Sequence, residues 1–284
     1  MQKDAQKKSN MIDLKRIKKI DIKDITIKRL ADAILRRIKS IPHNLTWFLP
    51  FDFTIKNKNK LKSFHNFHKD ERCFIICNGP SLKSIDFSLL KNEKTIGMNR
   101  IYLMEDQNGF LPNYLACIDK KSQLLQFTKD FDNLEIPCFF NWDLRNLFTN
   151  KSNQQFIKSK FDSKFSTDIV SDPMGNGKSV TYACIHLAYY MGFKEVYLIG
   201  KDHSYNTNKK AGVGISSSGS ENNHFIKGYY LKGQNWDAPD YRSEEHAYKL
   251  SRKAFEDDGR IIKDATINGK LNVFEKVDFY KLFN

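Results

Sequence analysis

From residue 71 onward the chain alternates short, β-rich apolar runs with stretches of helical periodicity, and this alternation leaves few architectures open. The spacing predicts strands at Cys73–Cys77, Thr95–Met98, Tyr114–Ile118, Cys138–Phe140, Glu195–Ile199 and Ile261–Ile262. Helices are predicted at Ser81–Leu90, Lys120–Phe127, Lys178–Met191 and Ser243–Asp258, the last with Ser243 as its N-cap. Strands that alternate with helices pair in parallel, because a crossover must return the chain to the same edge. The expected fold is therefore a Rossmann-like three-layer α/β/α domain with a mostly parallel sheet. Ligands of such sheets bind beyond the carboxyl ends of the strands, so the residues that follow each strand carry the functional reading.

Residues 1–70 differ in kind. Residues 1–40 hold thirteen Lys/Arg against five Asp, a net of +8. Through residue 70 the count is eighteen against seven, and the remaining 214 residues carry only +3 of the total +14. Basicity confined to one segment argues against a nucleic-acid-binding fold, which spreads positive charge over its working face. In "IKRLADAILRRIKSI", Ile27, Leu30, Ala31, Ile34, Leu35 and Ile38 recur at helical spacing among lysines and arginines. The aromatic cluster "HNLTWFLPFDF" follows. A basic amphipathic helix with aromatic residues suits an anionic membrane surface, here through residues 11–50; packing against the following domain is the alternative. "KNKNK" at 56–60 reads as a loop. The expected organisation is a basic helical and aromatic segment, 1–70, followed by the α/β domain, 71–284.

No apolar run approaches the roughly 20 residues of a membrane span, and the lysine-rich start lacks a signal-peptide core. The five cysteines show no metal-ligand spacing and read as buried thiols of a reducing compartment. The expected location is cytoplasmic, with peripheral attachment to the inner face of the cytoplasmic membrane.

After the first strand comes "NGPSL". Gly79 permits a tight turn after Asn78, Pro80 suits an early helical position, and the N–H groups of Ser81 and Leu82 would be free for an anion. After the second strand, Asn99 and Arg100 offer an amide for a base or sugar and a cation for phosphate. After the third, Asp119 stands at the strand end. In "DPMGNGKSV", the GNGKS run resembles the tail of a Walker A loop. Asp172 occupies the place of that loop's first glycine, so a P-loop is rejected. The turn Gly175, Asn176, Gly177, Lys178 and Ser179 still feeds a helix and can hold a phosphate or carboxylate. His186 on that helix reads as a packing residue rather than a ligand.

The strand "EVYLIG" ends in Asp202, His203 and Tyr205, where a reaction centre is expected. The Gly/Ser-rich stretch 211–230 reads as a mobile lid that brings His224 and Tyr229 over the cleft. Histidine suits proton abstraction from a sugar hydroxyl, and tyrosine can donate a hydrogen bond to a leaving phosphate. No carboxylate cluster marks a dedicated divalent-metal site.

These segments together, "IICNGPSL", "IGMNRIYL", "NYLACID", "VTYACIHLAYYMGFKEVYLIGKDHSY", "NHFIKGYY" and "AFEDDGRIIKDATINGKLNVFEKVDF", resemble the bacterial 6-hydroxymethylpterin pyrophosphokinase MptE-like domains over about residues 71–280. That domain also occurs in motility-associated flagellin glycosyltransferases. It is similar in turn to the CMP-sialic-acid-dependent sialyltransferases that decorate lipooligosaccharide. The resemblance implies that Asn78, Gly79, Pro80 and Ser81 lie at the nucleotide phosphate and ribose, and that Asn99 meets the nucleotide or donor sugar. It implies that Asp119 replaces a sialyltransferase asparagine, that the 175–179 turn faces the donor carboxylate, and that Tyr205 serves the leaving group. Only the first histidine of the sialyltransferase H-x-x-x-H pair is present, as His224; the second position is Gly228. An arginine-bearing turn before the long helix is replaced by Gly-Asn-Gly-Lys. The base is left open between His224 and His203.

The implied function is an inverting, metal-independent glycosyltransferase that takes a CMP-linked nonulosonic acid of the sialic-acid type to a surface glycan or glycolipid. No cofactor is implied beyond the donor substrate. The alternatives are a Mg²⁺-dependent, nucleotide-using pyrophosphokinase of the pterin type, in which Asp119 and Asp202 must come together, and a non-catalytic nucleotide-binding protein of glycan assembly.

Overall fold

The computed structural model describes residues 27–284; residues 11–26 of the expected membrane-binding segment lie outside the described residues. The chain divides into two compact units, Met1–Pro50 and Phe51–Asn284. Helix α1 (Ile27–Phe48) belongs to the first, in keeping with the apolar periodicity of that stretch. The second opens with helix α2 (Asp52–Lys62). The polar run 56–60, expected as a loop, lies inside α2. Asn57 is buried there, and its side-chain amide exchanges two 2.8 Å hydrogen bonds with the backbone N–H and C=O of Phe156. An asparagine that copies a strand's pairing pattern thus anchors a helix whose sequence looks solvated.

The strands of the second unit run β1 (Arg72–Ile76), β2 (Lys94–Met98), β3 (Tyr114–Cys117), β4 (Cys138–Asn141), β5 (Gln154–Ile157), β6 (Ser159–Lys160), β7 (Met174–Gly175), β8 (Glu195–Ile199), β9 (Gly214–Ser216), β10 (Asn235–Asp237), β11 (Ile261–Asp264) and β12 (Glu275–Lys276). Eight of them form one sheet in the order β12-β11-β8-β1-β2-β3-β4-β5. Every neighbouring pair in it is parallel. Two small ladders stand apart, β6 with β7 in parallel and β9 with β10 antiparallel. The central strands β1, β2, β3 and β8 are buried on both faces beyond their first residues and largely apolar there, as a covered parallel sheet requires.

Helices α3 (Glu105–Asn108), α4 (Thr128–Asn133), α5 (Val180–Tyr190) and α6 (Tyr241–Asp257) complete the layers. Because parallel crossovers are right-handed, connections that march from β1 toward β5 cover one face, and those that return through β8 to β12 cover the other. Helix α5 is buried along almost its whole length. Its His186 is a core residue, with Nε2 accepting the Ser166 N–H at 3.1 Å and Nδ1 at 2.9 Å from the Tyr182 carbonyl.

Two expected helices are not continuous. After β1 the chain makes two 3₁₀ turns, Pro80–Ser84 and Phe87–Leu90, broken at Ile85 and Asp86, where the Asp86 carboxylate caps Ser88. After β3 it makes a π turn, Lys120–Leu124, before α4. Helix α6 is capped by Asp240 rather than Ser243: the Asp240 carboxylate accepts from the Ser243 N–H at 3.1 Å and its hydroxyl at 2.7 Å. Among the described residues no helix is long and apolar enough to cross a membrane.

Candidate functional site

The chain builds outward from β1 through β2 to β5, then crosses back to β8 on the other side of β1. The order therefore reverses between β1 and β8, and the crevice beyond their carboxyl ends is the place where open α/β sheets bind ligands. The residues that follow β8, β1, β2 and β3 stand side by side along this rim, since neighbouring parallel strands lie about 4.8 Å apart.

At the reversal the pairing continues past the strands. Cys77 and Gly79 donate their N–H groups to the carbonyls of Ile199 and Gly200, each at 2.9 Å. A Cβ on Gly79 would lie 1.7 Å from Asp202 Oδ2 and 2.5 Å from the Gly200 carbonyl oxygen, so position 79 admits no side chain. Asp202 in turn accepts from Ser81 twice, from the N–H at 3.1 Å and the hydroxyl at 2.7 Å. The Leu82 N–H donates to the Gly79 carbonyl at 3.2 Å. The Ser81 and Leu82 amides expected to await an anion are thus engaged, and the anion at the turn is the protein's own Asp202.

Asn78 joins β1 to β2 by donating from Nδ2 to the Met98 carbonyl at 3.1 Å, while its buried Oδ1 has no partner. Asn99 sits in left-handed backbone (φ 50°), and its Oδ1 is also buried and unpartnered. Two acceptors left unsatisfied at adjacent strand ends are costly unless a ligand meets them. Arg100 is buried. Its guanidinium lies 3.8 Å over the Phe127 ring and donates from Nη1 to the Tyr229 carbonyl at 2.5 Å. Asp119, at the end of β3, caps the turn that follows, accepting from the N–H groups of Lys121 and Ser122 at 3.1 and 3.0 Å and from the Ser122 hydroxyl.

Beyond β8 the segment 205–240 closes over these ends. The Phe225 N–H donates to the Asn78 carbonyl at 2.9 Å, and the Arg100 N–H to the Tyr229 hydroxyl at 3.3 Å. Gln234 Nε2 donates to the Ser122 carbonyl. One segment therefore bonds to residues following β1, β2 and β3. The Gly/Ser-rich stretch expected as a mobile lid is held down around an aromatic cluster. His224 stacks on Tyr229 with centroids 3.9 Å apart and planes 6° from parallel. Tyr205 lies 5.7 Å from His224 and 5.6 Å from Trp236. Burial pushes His224 down to about 3, only partly opposed by Glu221, so the covered ring is neutral and a poor base. Burial raises the Tyr205 hydroxyl well above its ordinary value, and it stays protonated.

His203 faces α6 instead. Its backbone is left-handed (φ 54°), Nε2 is 3.0 Å from Glu245 Oε1, and the ring lies 4.3 Å from that of Tyr241. Desolvation and the Lys201 charge lower its proton affinity. The 175–179 turn reaches the rim by way of α5. Thr181 Oγ1 lies 3.7 Å from Cys77 Sγ and 3.6 Å from Met98 Sδ, so the start of α5 abuts the ends of β1 and β2. Gly177 has φ 52°, and a Cβ there would meet the Tyr182 ring at 2.4 Å. Lys178 Nζ lies 3.8 Å over the Phe161 ring.

Sequence reasoning missed a buried chain behind this turn. Lys201 Nζ donates to Glu244 Oε2 at 3.0 Å, and the Tyr248 hydroxyl lies 3.4 Å from the same oxygen and 2.8 Å from Ser179 Oγ. Burial works to discharge Lys201, but Glu244 together with the other groups around the amine outweighs it and holds the amine protonated. The only sequence signal was a lysine directly after a strand-end glycine, with its acid more than forty positions away.

A groove beside the first turn, lined by residues including Leu82, Lys83, Phe87, Met104 and Phe225, holds about 260 Å³. Ligand pockets usually enclose about 300–1,000 Å³. This groove is smaller than that.

The fold is similar to that in the structure of the MAf glycosyltransferase from Magnetospirillum magneticum AMB-1, with 14% identity and a TM-score of 0.45 over 89% of this chain and 42% of that one. This chain thus spans less than half the length of that protein. The structure of the sialyltransferase CST-II in complex with trisaccharide acceptor and CMP is a further neighbour, with 15% identity and a TM-score of 0.31 over 73% of this chain and 86% of that one. No curated protein matches in sequence. The family model described as 6-hydroxymethylpterin diphosphokinase MptE-like matches residues 51–208, a span that takes in α2, the strands from β1 through β8 and the turn at Asp202, and the chain belongs to that family.

Proposed function

We propose that the protein is an inverting, metal-independent glycosyltransferase whose nucleotide-sugar donor, a CMP-linked acid of the sialic-acid type, binds at the β1–β8 reversal. The observation that carries this reading is the convergence of Asn78–Ser81, Asn99–Arg100 and Asp202 under one segment that bears His224 and Tyr229. The resemblance to the sialyltransferases through the MptE-like domains supports the same choice. When the cover lifts, Arg100 leaves the Tyr229 carbonyl and is free to meet the donor phosphate. The unpartnered Oδ1 atoms of Asn78 and Asn99 accept from the base or sugar. Uncovering returns His224 from about 3 toward its ordinary value of about 6.5, where it can take the proton of an acceptor hydroxyl. That oxygen then bonds to the anomeric carbon as the bond from this carbon to the phosphate oxygen breaks. CMP departs with its charge met by Arg100 and a hydrogen bond from Tyr205. His203, bound to Glu245, is the second candidate base.

The pterin-type reading needs two acidic residues at one metal. Asp202 is committed to Ser81 and Asp119 to Ser122, two different turns. Thermal-shift measurement with CMP, CDP, UDP, GDP and ATP, with and without Mg²⁺, separates the readings by mass action. Stabilisation by CMP without metal is expected. Stabilisation by ATP only in the presence of Mg²⁺, with none by CMP, would sink the proposal. CMP binding without turnover of any CMP-sugar would leave a nucleotide-binding glycan-assembly protein.

A further inference from the structure

Helix α1 carries an apolar stripe that its fold leaves bare. Leu35, Ile38, Ile41 and Leu45 are 49%, 56%, 51% and 54% exposed, and Leu49, whose N–H continues the helical pattern onto the Leu45 carbonyl, is 44% exposed. At about 100° per residue these five side chains fall within an arc of about 120°. Five large aliphatic groups in one line are more than the scattered apolar residues of an ordinary surface. The stripe begins within the most basic part of the chain, thirteen Lys/Arg against five Asp over residues 1–40, and runs on from it into the uncharged aromatic stretch that follows.

We propose that α1 is a membrane-surface helix: the Leu35–Ile38–Ile41–Leu45–Leu49 stripe enters the headgroup–acyl boundary of an anionic bilayer, and the surrounding basic charge holds it there. The occupant follows from charge complementarity. Two copies of so basic a segment repel each other across a shared apolar face, whereas anionic lipids attract it and the stripe supplies the depth. The helix lies in the plane rather than across, since among the described residues none is long and apolar enough to span. This inference does not depend on the chemistry at the strand ends.

Co-sedimentation of the full chain with phosphatidylcholine vesicles, with and without phosphatidylglycerol, tests it. The protein is expected to bind the anionic vesicles only, and raising the salt should weaken binding, because charges beyond a few ångströms are screened. The Ile38→Gln/Ile41→Gln/Leu45→Gln variant removes the stripe and leaves the charge; its binding should fall at least about ten-fold. The Leu35→Gln/Leu49→Gln pair gives an independent reading if the triple variant misfolds, and an unchanged thermal midpoint certifies the fold of either. Equal binding to neutral vesicles, no binding to anionic ones, or wild-type binding by folded glutamine variants would overturn the proposal. So would light scattering that shows a dimer broken by these substitutions.

Discussion

The turn at β1 and the segment that covers it are held by different means. The turn is locked into the sheet: Gly79 pairs with Gly200, Ser81 donates twice to Asp202, and no side chain fits at position 79. The cover rests on a stack of aromatic rings and on a few bonds from Phe225, Tyr229 and Gln234 to groups at three strand ends. The first arrangement is fixed by backbone pairing, the second by side-chain packing and a few bonds. The donor binding proposed above would need both, a fixed floor and a removable roof.

The sharpest way to break the contrast is Gly79→Ala. The added carbon collides with backbone and with Asp202, so the floor must distort; a loss of about 3 kcal/mol in urea unfolding is expected, together with nucleotide binding. A variant of wild-type stability would show that the floor yields as readily as the cover.

Acid separates floor and roof next. His186 in α5 is pushed to about 4 and His224 to about 3, both by burial, below an unfolded value of about 6.5. Each therefore leaves stability intact above about pH 6.5 and removes it as the pH falls, because the open or unfolded form takes up the proton first. Between pH 7 and 5 each should contribute a loss of about 2 kcal/mol. For His186 the loss should appear in global melting. For His224 it should appear as proteolysis within 205–234. His224→Phe, which keeps the stack, should abolish the acid dependence of cleavage and leave that of melting attributable to His186. Parallel pH profiles for cleavage and melting in wild type would mean that the cover does not open by itself.

The smallest effect belongs to Tyr229→Phe, which removes the oxygen that accepts the Arg100 N–H and leaves the guanidinium on the carbonyl. A cost of about 1 kcal/mol and modestly faster cleavage of the cover are expected. An unchanged cleavage rate would assign the closure to ring stacking alone.

What could be read in advance follows the same division. The apolar inner strands announce themselves, because a strand buried on both faces leaves an unbroken run of β-branched and aromatic residues. Strand β5 does not, because Gln154 and Gln155 occupy half of it and are bonded to Asp132 and Ser152. The helices expected after β1 and β3 give way to short turns where Asp86 and Asp119 bond nearby amides, a local competition that periodicity does not register. That Asn78–Ser81, Asn99 and Asp202 stand at neighbouring strand ends was legible because the rule for parallel sheets points there. The commitments of those residues were not. That Asp202 fills the place of an anion, that Arg100 is held by Tyr229, and that Lys201 meets Glu244 are all contacts between segments far apart in the chain.

One consequence of the strand order reaches beyond binding. Arg72 of β1 lies opposite Glu195 of β8, so the middle of the sheet is zipped between its earliest strand and one that emerges much later from the ribosome. Until β8 arrives, one edge of β1, apolar from Cys73 to Ile76, stays unpaired, the kind of surface on which nascent chains adhere to one another. The strand order that creates the crevice also makes the birth of this protein its most vulnerable moment.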